Sequence, residues 1–281
     1  MIISALPAPY DQAEATLLVQ GLTNSAYHLQ LRDTRYFYRQ GVARPETLFI
    51  DRQQERQALR IAAEAGLLPR IHYHSADGQQ LVLAWCEEPA WSQAAFSSAN
   101  GISQLGQLVA RVHALPARLK VLDLPDYVQR FLHSLPSLPA DLLSCIQQLQ
   151  EMLRALPPGP TVFCHNDINP VNLLGTKPWL IDWEYAALGD PAFELAGICR
   201  AGQFDKAQLY QLVAVYQAEG GNCDAGRVVK MLPVVDMISL LWCEKMLLLR
   251  SDVRYEVLRQ QLYRSVLHRS APSSVETKNA P

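Results

Sequence analysis

Phe163-Cys-His-Asn-Asp-Ile-Asn-Pro-Val-Asn-Leu-Leu174, followed shortly by Leu180-Ile-Asp-Trp-Glu-Tyr185, is the part of the chain that decides its fold. It sets His165, Asp167 and Asn172 in the pattern H-x-D-x-x-x-x-N, with Asp182 on a second short apolar segment downstream. Phosphoryl transfer from ATP asks a protein mainly for positioning and charge neutralisation. An Asp orients the attacking hydroxyl and takes its proton, while an Asn five residues on and a second Asp after a short strand hold Mg²⁺. Those roles fall to Asp167, Asn172 and Asp182. A carboxylate and an amide oxygen suit a small hard cation that keeps substrate phosphates among its ligands. Taken singly, each of the three reads equally well as a turn or cap residue. The joint spacing, ending in Leu-Ile-Asp, is what separates the two readings.

The rest of the composition leaves room for this chemistry and removes others. At 281 residues the chain can bury a substantial core, as one large domain or as two lobes around a cleft. With 25 Lys and Arg against 27 Asp and Glu, and no basic run, it carries no electrostatic footprint for nucleic acid. Its apolar stretches are short and interrupted, so no membrane span is expected. Met-Ile-Ile-Ser-Ala-Leu-Pro7 lacks the basic and apolar regions of a secretory signal. Six cysteines, at 86, 145, 164, 199, 223 and 243, form no C-x-x-C pair, which fits free thiols in a reducing cytoplasm. Cys164 beside His165 suggests a nucleophile and base, but adjacent side chains seldom face one another. A hydrolytic metal site on His165 and Asp167 lacks a second His at ligand spacing.

Along the chain the first third reads as β-rich. Strands are expected at 16–20, 26–31, 35–40, 70–74 and 80–84, with an amphipathic helix over 51–65 that starts at Asp51 and stops at Gly66. After Cys86-Glu-Glu-Pro-Ala90, read as a hinge, helical periodicity takes over at 102–115, 140–156, 191–201, 206–219, 227–249 and 253–268. The expected organisation is an N-lobe over 1–86, a C-lobe over 87–269 and a polar, disordered tail over 270–281.

A phosphoryl-transfer loop needs support from upstream. Gly21-Leu-Thr-Asn-Ser25 lies between two strands, where Thr23, Asn24 and Ser25 let backbone N–H groups approach phosphates, although an ordinary hairpin turn would look the same. Arg39 is the candidate cation for the phosphates, an Arg where Lys is the usual residue. Glu55 is its candidate acidic partner; the other reading pairs Glu55 with nearby Arg52 or Arg56 at the helix surface. Nothing in 83–87 is diagnostic of an adenine pocket. His165 reads as a residue that holds the loop by hydrogen bonds, and His113 as a packed or capping histidine.

Taken together, these residues resemble the choline/ethanolamine kinase and aminoglycoside phosphotransferase superfamily, which includes bacterial thiamine kinases. The likeness runs from Val19 to Leu249 and is carried by His165-Asn-Asp167, Asn172, Leu180-Ile-Asp-Trp-Glu-Tyr185 and Gly189-Asp-Pro-Ala-Phe-Glu-Leu-Ala196. Gly21-Leu-Thr-Asn24 and Asp51-Arg-Gln-Gln-Glu55 add to it in the small lobe. The resemblance implies an α+β, bilobal protein-kinase-like fold with a small β-rich N-lobe and a larger, mainly helical C-lobe. It implies a kinase that uses ATP and Mg²⁺ to phosphorylate a small-molecule hydroxyl; the composition adds the expectation of a cytoplasmic protein without a nucleic-acid or membrane partner. Choline-type members hold a quaternary ammonium with aromatic rings and carboxylates. The matching candidates are Tyr185 and Trp242, with Glu184 or Glu244 for negative charge; ordinary helix packing explains Trp242 equally well. Asn169 stands where choline kinases often carry Gln. Thiamine, also a cationic alcohol, would suit the same pocket. The alternatives are an aminoglycoside or sugar kinase, which sparse carboxylates between Lys206 and Leu249 disfavour, and a non-catalytic nucleotide-binding pseudokinase, which the intact Asp167, Asn172 and Asp182 disfavour. Oligomeric state is not legible.

Overall fold

The computed structural model describes residues 6–21, 23–250 and 252–270; the first five residues and the tail expected to be disordered beyond Ser270 lie outside them. The expected α+β architecture is present. Five strands, β1 (Glu14–Gln20), β2 (Asn24–Leu31), β3 (Thr34–Gly41), β4 (Ile71–His74) and β5 (Gln80–Ala84), form one antiparallel sheet in the order β1-β2-β3-β5-β4. Helix α1 (Arg52–Glu64) joins β3 to β4. Asp51 caps it, its side chain accepting from the N–H groups of Gln53 and Gln54.

Strand alternation sorts the residues of the sheet. Tyr27 and Leu29 on β2, Tyr38 on β3 and Val82 on β5 pack on one face with Leu6 and Ala13. Arg39, one residue on from Tyr38, therefore points to the other face, towards α1, where Ala58, Leu59 and Ala62 are buried. The edge strand β1 is exposed along its whole length and pairs only with β2. Its register slips between Leu17 and Val19, leaving Leu18 as a bulge.

The chain then becomes mainly helical: α2 (Gln93–Phe96), α3 (Ala99–His113), α4 (Leu124–Ser134), α5 (Ala140–Ala155), α6 (Pro191–Gly202), α7 (Lys206–Ala218), α8 (Ala225–Leu249) and α9 (Val253–Ser270). Four short strands interrupt them. β6 (Val162–Cys164) pairs with β9 (Ala187–Gly189), and β7 (Leu173–Leu174) with β8 (Trp179–Leu180), both antiparallel. The two ribbons fix both ends of the segment carrying Asp167, Asn172 and Asp182. α4 was not expected from the sequence. It starts at Asp123-Leu-Pro-Asp126, where Pro125 fits the first turn of a helix and Asp123 caps it; Leu124, Tyr127, Val128 and Phe131 are its buried stripe.

The chain divides into two compact units, Met1–Leu122 with Pro160–Val228, and Asp123–Gly159 with Val229–Pro281. In the first, α3 and α7 pack closely because Gly106 has no side chain: a Cβ there would lie 2.7 Å from Val215 Cγ1. In the second, α5 packs against α4 and α9.

One ion-pair group joins sheet to helix. Glu55 on α1 is 1 % exposed and pairs with both Arg39 of β3 and Arg52 of its own first turn. Removing one member of a buried group strands the others without charge compensation. Glu55→Ala is expected to lower unfolding free energy by about 3–5 kcal/mol, read as a lower urea midpoint at constant slope; a midpoint unchanged from the native chain would contradict this.

Candidate functional site

The loop between β6 and β7 is built around Asp167. Its Oδ1 accepts from Asn169 Nδ2 at 2.9 Å, and its Oδ2 from Asn172 Nδ2 at 2.9 Å. Asn172 Nδ2 also donates to the Asp167 carbonyl at 2.9 Å. Asn169 Oδ1 accepts from Val171 N–H and caps the single 3-10 turn Pro170–Asn172, so both ends of this side chain are engaged inside the loop. The x-N-P-x-N spacing thus folds both amides back onto one carboxylate. Loss of solvation and then the nearby Glu184 raise the Asp167 pKa to about 7, against the opposing hydrogen bonds of Asn169 and Asn172.

His165 is fully buried, with Nε2–H donating to the Ile181 carbonyl at 3.0 Å and Nδ1 accepting from Asp167 N–H at 3.2 Å. Burial takes its pKa down to about 4, so at neutral pH it is an uncharged tie between two strands of loop. Trp183, also fully buried, stacks on Phe163 at 5.4 Å and meets His165 edge-on at 4.7 Å. Glu194 of α6 completes the frame: its Oε1 accepts from the backbone N–H of both His165 and Asn166, each at 2.6 Å. Asn166 (φ 65°) and Asp182 (φ 68°) both sit in the left-handed region, which Asn and Asp tolerate better than most residues. Strained backbone of this kind concentrates at functional sites.

The acidic groups crowd together. Burial, then Glu184, raises the pKa of Asp182 well above the carboxylate range, with Asp167 and Glu55 adding to the effect and Arg39 opposing it. Asp182 Oδ1 is sealed from solvent and has no hydrogen-bond partner among the described residues. Glu184 is raised by burial against the pull of Arg52. Glu55 goes the other way, its burial outweighed by Arg39 and Arg52.

Arg39 donates to both oxygens of Glu55 and, at 3.1 Å, to the Gly78 carbonyl. Arg52 is the connector that sequence reasoning missed as a site residue. Its Nη1 reaches Glu55 at 2.8 Å and Glu184 at 3.3 Å, while Nη2 reaches Asn24 Oδ1 at 2.7 Å and the Thr23 carbonyl at 3.3 Å. Asn24 Nδ2 in turn donates to Glu184 at 2.8 Å. A signal was present: an arginine in the first turn of a helix opposes the macrodipole, so a tertiary partner has to hold it there. The surface reading of Glu55 is replaced by a buried one, with Arg52 and Arg39 both as partners.

Beside this group lies a cavity of about 310 Å³ lined by Leu18, Phe37, Leu83, Trp85, Leu174 and Ile181, together with the segment 86–90. The bulge at Leu18 turns that side chain into it. Apolar and aromatic side chains such as Phe37, Trp85 and Ile181 along its lining suit a planar ring, and here the sequence had offered no diagnostic residue.

The other candidates have these neighbours. Ser25 is a strand residue opposite Gln20 and Gln40. Tyr185 is half-buried, and its carbonyl accepts from Asn166 Nδ2 at 3.0 Å. Trp242 and Glu244 belong to the second unit, where the Trp242 ring meets Tyr255 at 5.4 Å and Glu244 meets Arg259 at 3.4 Å. Cys164 does not face His165; its sulfur lies 3.8 Å from His113 Nε2, and burial keeps the thiol protonated.

The chain resembles the solved choline/ethanolamine kinase family protein from Mesorhizobium loti at 22% identity and a TM-score of 0.76, covering 96% of this chain and 93% of that one. It resembles choline kinase LicA from Streptococcus pneumoniae at 18% identity and a TM-score of 0.79, with 95% and 96% covered. A macrolide 2'-phosphotransferase type I follows at 16% identity and 0.66, with 93% and 94% covered. At the level of sequence, Protein LicA of Haemophilus influenzae is 38% identical over 55 residues, which span 19% of this chain and 21% of that relative's length. The fold is therefore the one shared by these kinases. The model of the phosphotransferase enzyme family matches residues 14–228, well over half of the sequence, and the chain belongs to that family.

Proposed function

We propose that this phosphotransferase moves the terminal phosphoryl group of ATP, with Mg²⁺, to the hydroxyl of a small cationic alcohol of the choline, ethanolamine or thiamine kind. The observation that carries the reading is Asp167, held by two amides in a loop whose neighbour Asp182 has a sealed, unpartnered oxygen. In this reading Asp167 orients the acceptor hydroxyl and receives its proton, which its raised pKa favours. Asn169 and Asn172 keep the carboxylate from rotating. His165 holds the loop and takes no proton itself.

The donor set fits Mg²⁺: Asp182 and Asn172 supply hard oxygens, and the crowd of Asp167, Asp182 and Glu184 is short of positive charge. When bound there, the ion would neutralise the phosphate oxygens during transfer. Arg39, oriented by Glu55, is the cation for the phosphates, and the hairpin residues Thr23, Asn24 and Ser25 cover them. The apolar cavity beside Phe37 and Ile181 takes the adenine. We divide the molecule for this purpose into a nucleotide-covering lobe over 1–86 and a catalytic and acceptor lobe over 87–269. A solved LicA carries AMP, and a spectinomycin phosphotransferase of similar fold carries ADP, which supports a nucleotide in this cavity.

The cationic acceptor is supported by the choline and ethanolamine kinases among the similar structures, and by Glu184 and Tyr185 just beyond Asp182-Trp183. For Trp242 the sequence is the only support. Purified protein with Mg²⁺ and ATP should turn over one of choline, ethanolamine or thiamine and leave a macrolide and an aminoglycoside untouched; the reverse preference would reject the cationic acceptor.

Two substitutions divide the roles. Asp167→Ala should lower kcat by at least about 100-fold, the scale of one positioned general base, while Mg²⁺·ATP still binds by calorimetry. Asp182→Ala should lose the Mg²⁺-dependent part of nucleotide binding as well. Substantial turnover by a folded Asp167→Ala protein would remove Asp167 from the role of base.

A further inference from the structure

His113, Tyr216 and Glu194 come from three different helices and meet in a sealed chain of hydrogen bonds that ends on the phosphoryl-transfer loop. His113 closes α3, Tyr216 lies on α7 and Glu194 in the first turn of α6; they are 8 %, 1 % and 2 % exposed. His113 Nε2 lies 2.5 Å from Glu194 Oε2, and Nδ1 lies 2.8 Å from the Tyr216 hydroxyl. A carboxylate only accepts, so Nε2 carries the proton that donates to Glu194. In the neutral ring Nδ1 is then the acceptor and Tyr216 O–H the donor, which fixes the tautomer. The other Glu194 oxygen takes the two N–H groups of His165 and Asn166, immediately before Asp167.

We propose that His113 is a positioning residue for phosphoryl transfer, clamping Glu194 so that this carboxylate holds the backbone of His165 and Asn166, and with it Asp167, in place. The proposal rests on the assignment of Asp167 as base. The directions of the bonds support it. A glutamate free to change rotamer could satisfy one loop N–H and release the other, whereas a glutamate tied at Oε2 has its Oε1 fixed in space. Tyr216 does for the imidazole ring what the ring does for the carboxylate. Gly106, by letting α7 come close to α3, sets the spacing at which hydroxyl and ring meet. Burial opposes the charge on Glu194, but the His113 bond leads the interactions that hold its pKa below the usual value, so it stays a strong acceptor. His113, Cys164 and Glu194 also place three potential ligand atoms close together. Glu194 Oε1 is committed to two N–H groups and the Cys164 thiol is held protonated, so the cluster serves as a hydrogen-bond node.

The test is a comparison of two substitutions in the full chain. His113→Leu removes both ring bonds, whereas His113→Gln keeps an N–H donor at the reach of Nε2. We expect His113→Leu to lower kcat by roughly 10- to 100-fold, the range that small misplacement of a catalytic group produces. KM for ATP should stay within about twofold, since binding groups are untouched. His113→Gln should recover most of the loss. Amide hydrogen exchange over 163–169, followed by mass spectrometry, should quicken in the Leu variant and slow again in the Gln variant. Equal losses in both, a defect confined to KM, or loop exchange identical to native would each overturn the proposal. Asp167→Ala belongs in the same series. If it retains turnover, the base assignment falls and the proposal with it; if it is inactive while His113→Leu is native in kcat and exchange, the proposal alone falls. Should His113→Leu fail to fold, Tyr216→Phe deletes a single hydroxyl at the far end of the chain. A several-fold drop in kcat there supports the proposal, and native kcat with native loop exchange rejects it.

Discussion

Charge balance in a dry place governs this molecule. Glu184, Asp167 and Glu55 crowd against Asp182, and Arg39 and Arg52 are the guanidinium groups set among them. Neither arginine can be placed without the carboxylates, and the carboxylates repel one another without the arginines. β3 must therefore present Arg39 towards α1, α1 must start at Arg52, and the hairpin at Asn24 must come down on Glu184. A sheet, a helix and two loops are fixed by a handful of ionic hydrogen bonds. The two arginines do not fully offset the site, and the remainder is borne by Asp182, whose burial makes its own ionisation costly. Such an imbalance is a poor way to stabilise a fold and a good way to attract a small cation.

The loop chemistry shows the same economy of parts. Asp167 is restrained by side chains two and five residues away, so its geometry is local and its sequence signature compact. The framework behind it is remote: Glu194 reaches the loop from 28 residues away, and His113 reaches Glu194 from 81. Chemistry and support are thus encoded at different ranges along the chain.

That difference explains what could be read from the sequence. The strands of the sheet, α1 and most of the helices were legible because alternation and 3.6-residue periodicity are short-range patterns. The H-x-D-x-x-x-x-N spacing was legible because Asp167, Asn169 and Asn172 interact across a single turn. Arg52 was weighed only as a surface partner for Glu55, since its ties to Asn24 and Glu184 close over 28 and 132 residues. His113 read as an ordinary packed histidine because its significance lies in Tyr216 and Glu194, neither of which adjoins it. α4 carries its apolar stripe on only Leu124, Tyr127, Val128 and Phe131, and its start at Asp123 is set by a cap and by Pro125 in the first turn.

The edge strand has a further consequence. β1 carries Leu18 into the wall of the apolar cavity, yet it is paired along one side only and buries little of its own surface. Segments with few buried contacts open at a small fraction of the free energy that unfolds a core. One side of the cavity is thus lined from a sheet edge, held less firmly than the paired strands β2, β3 and β5. The same edge is also the site most open to pairing with a foreign strand, because Leu17, Leu18 and Val19 are all exposed along it.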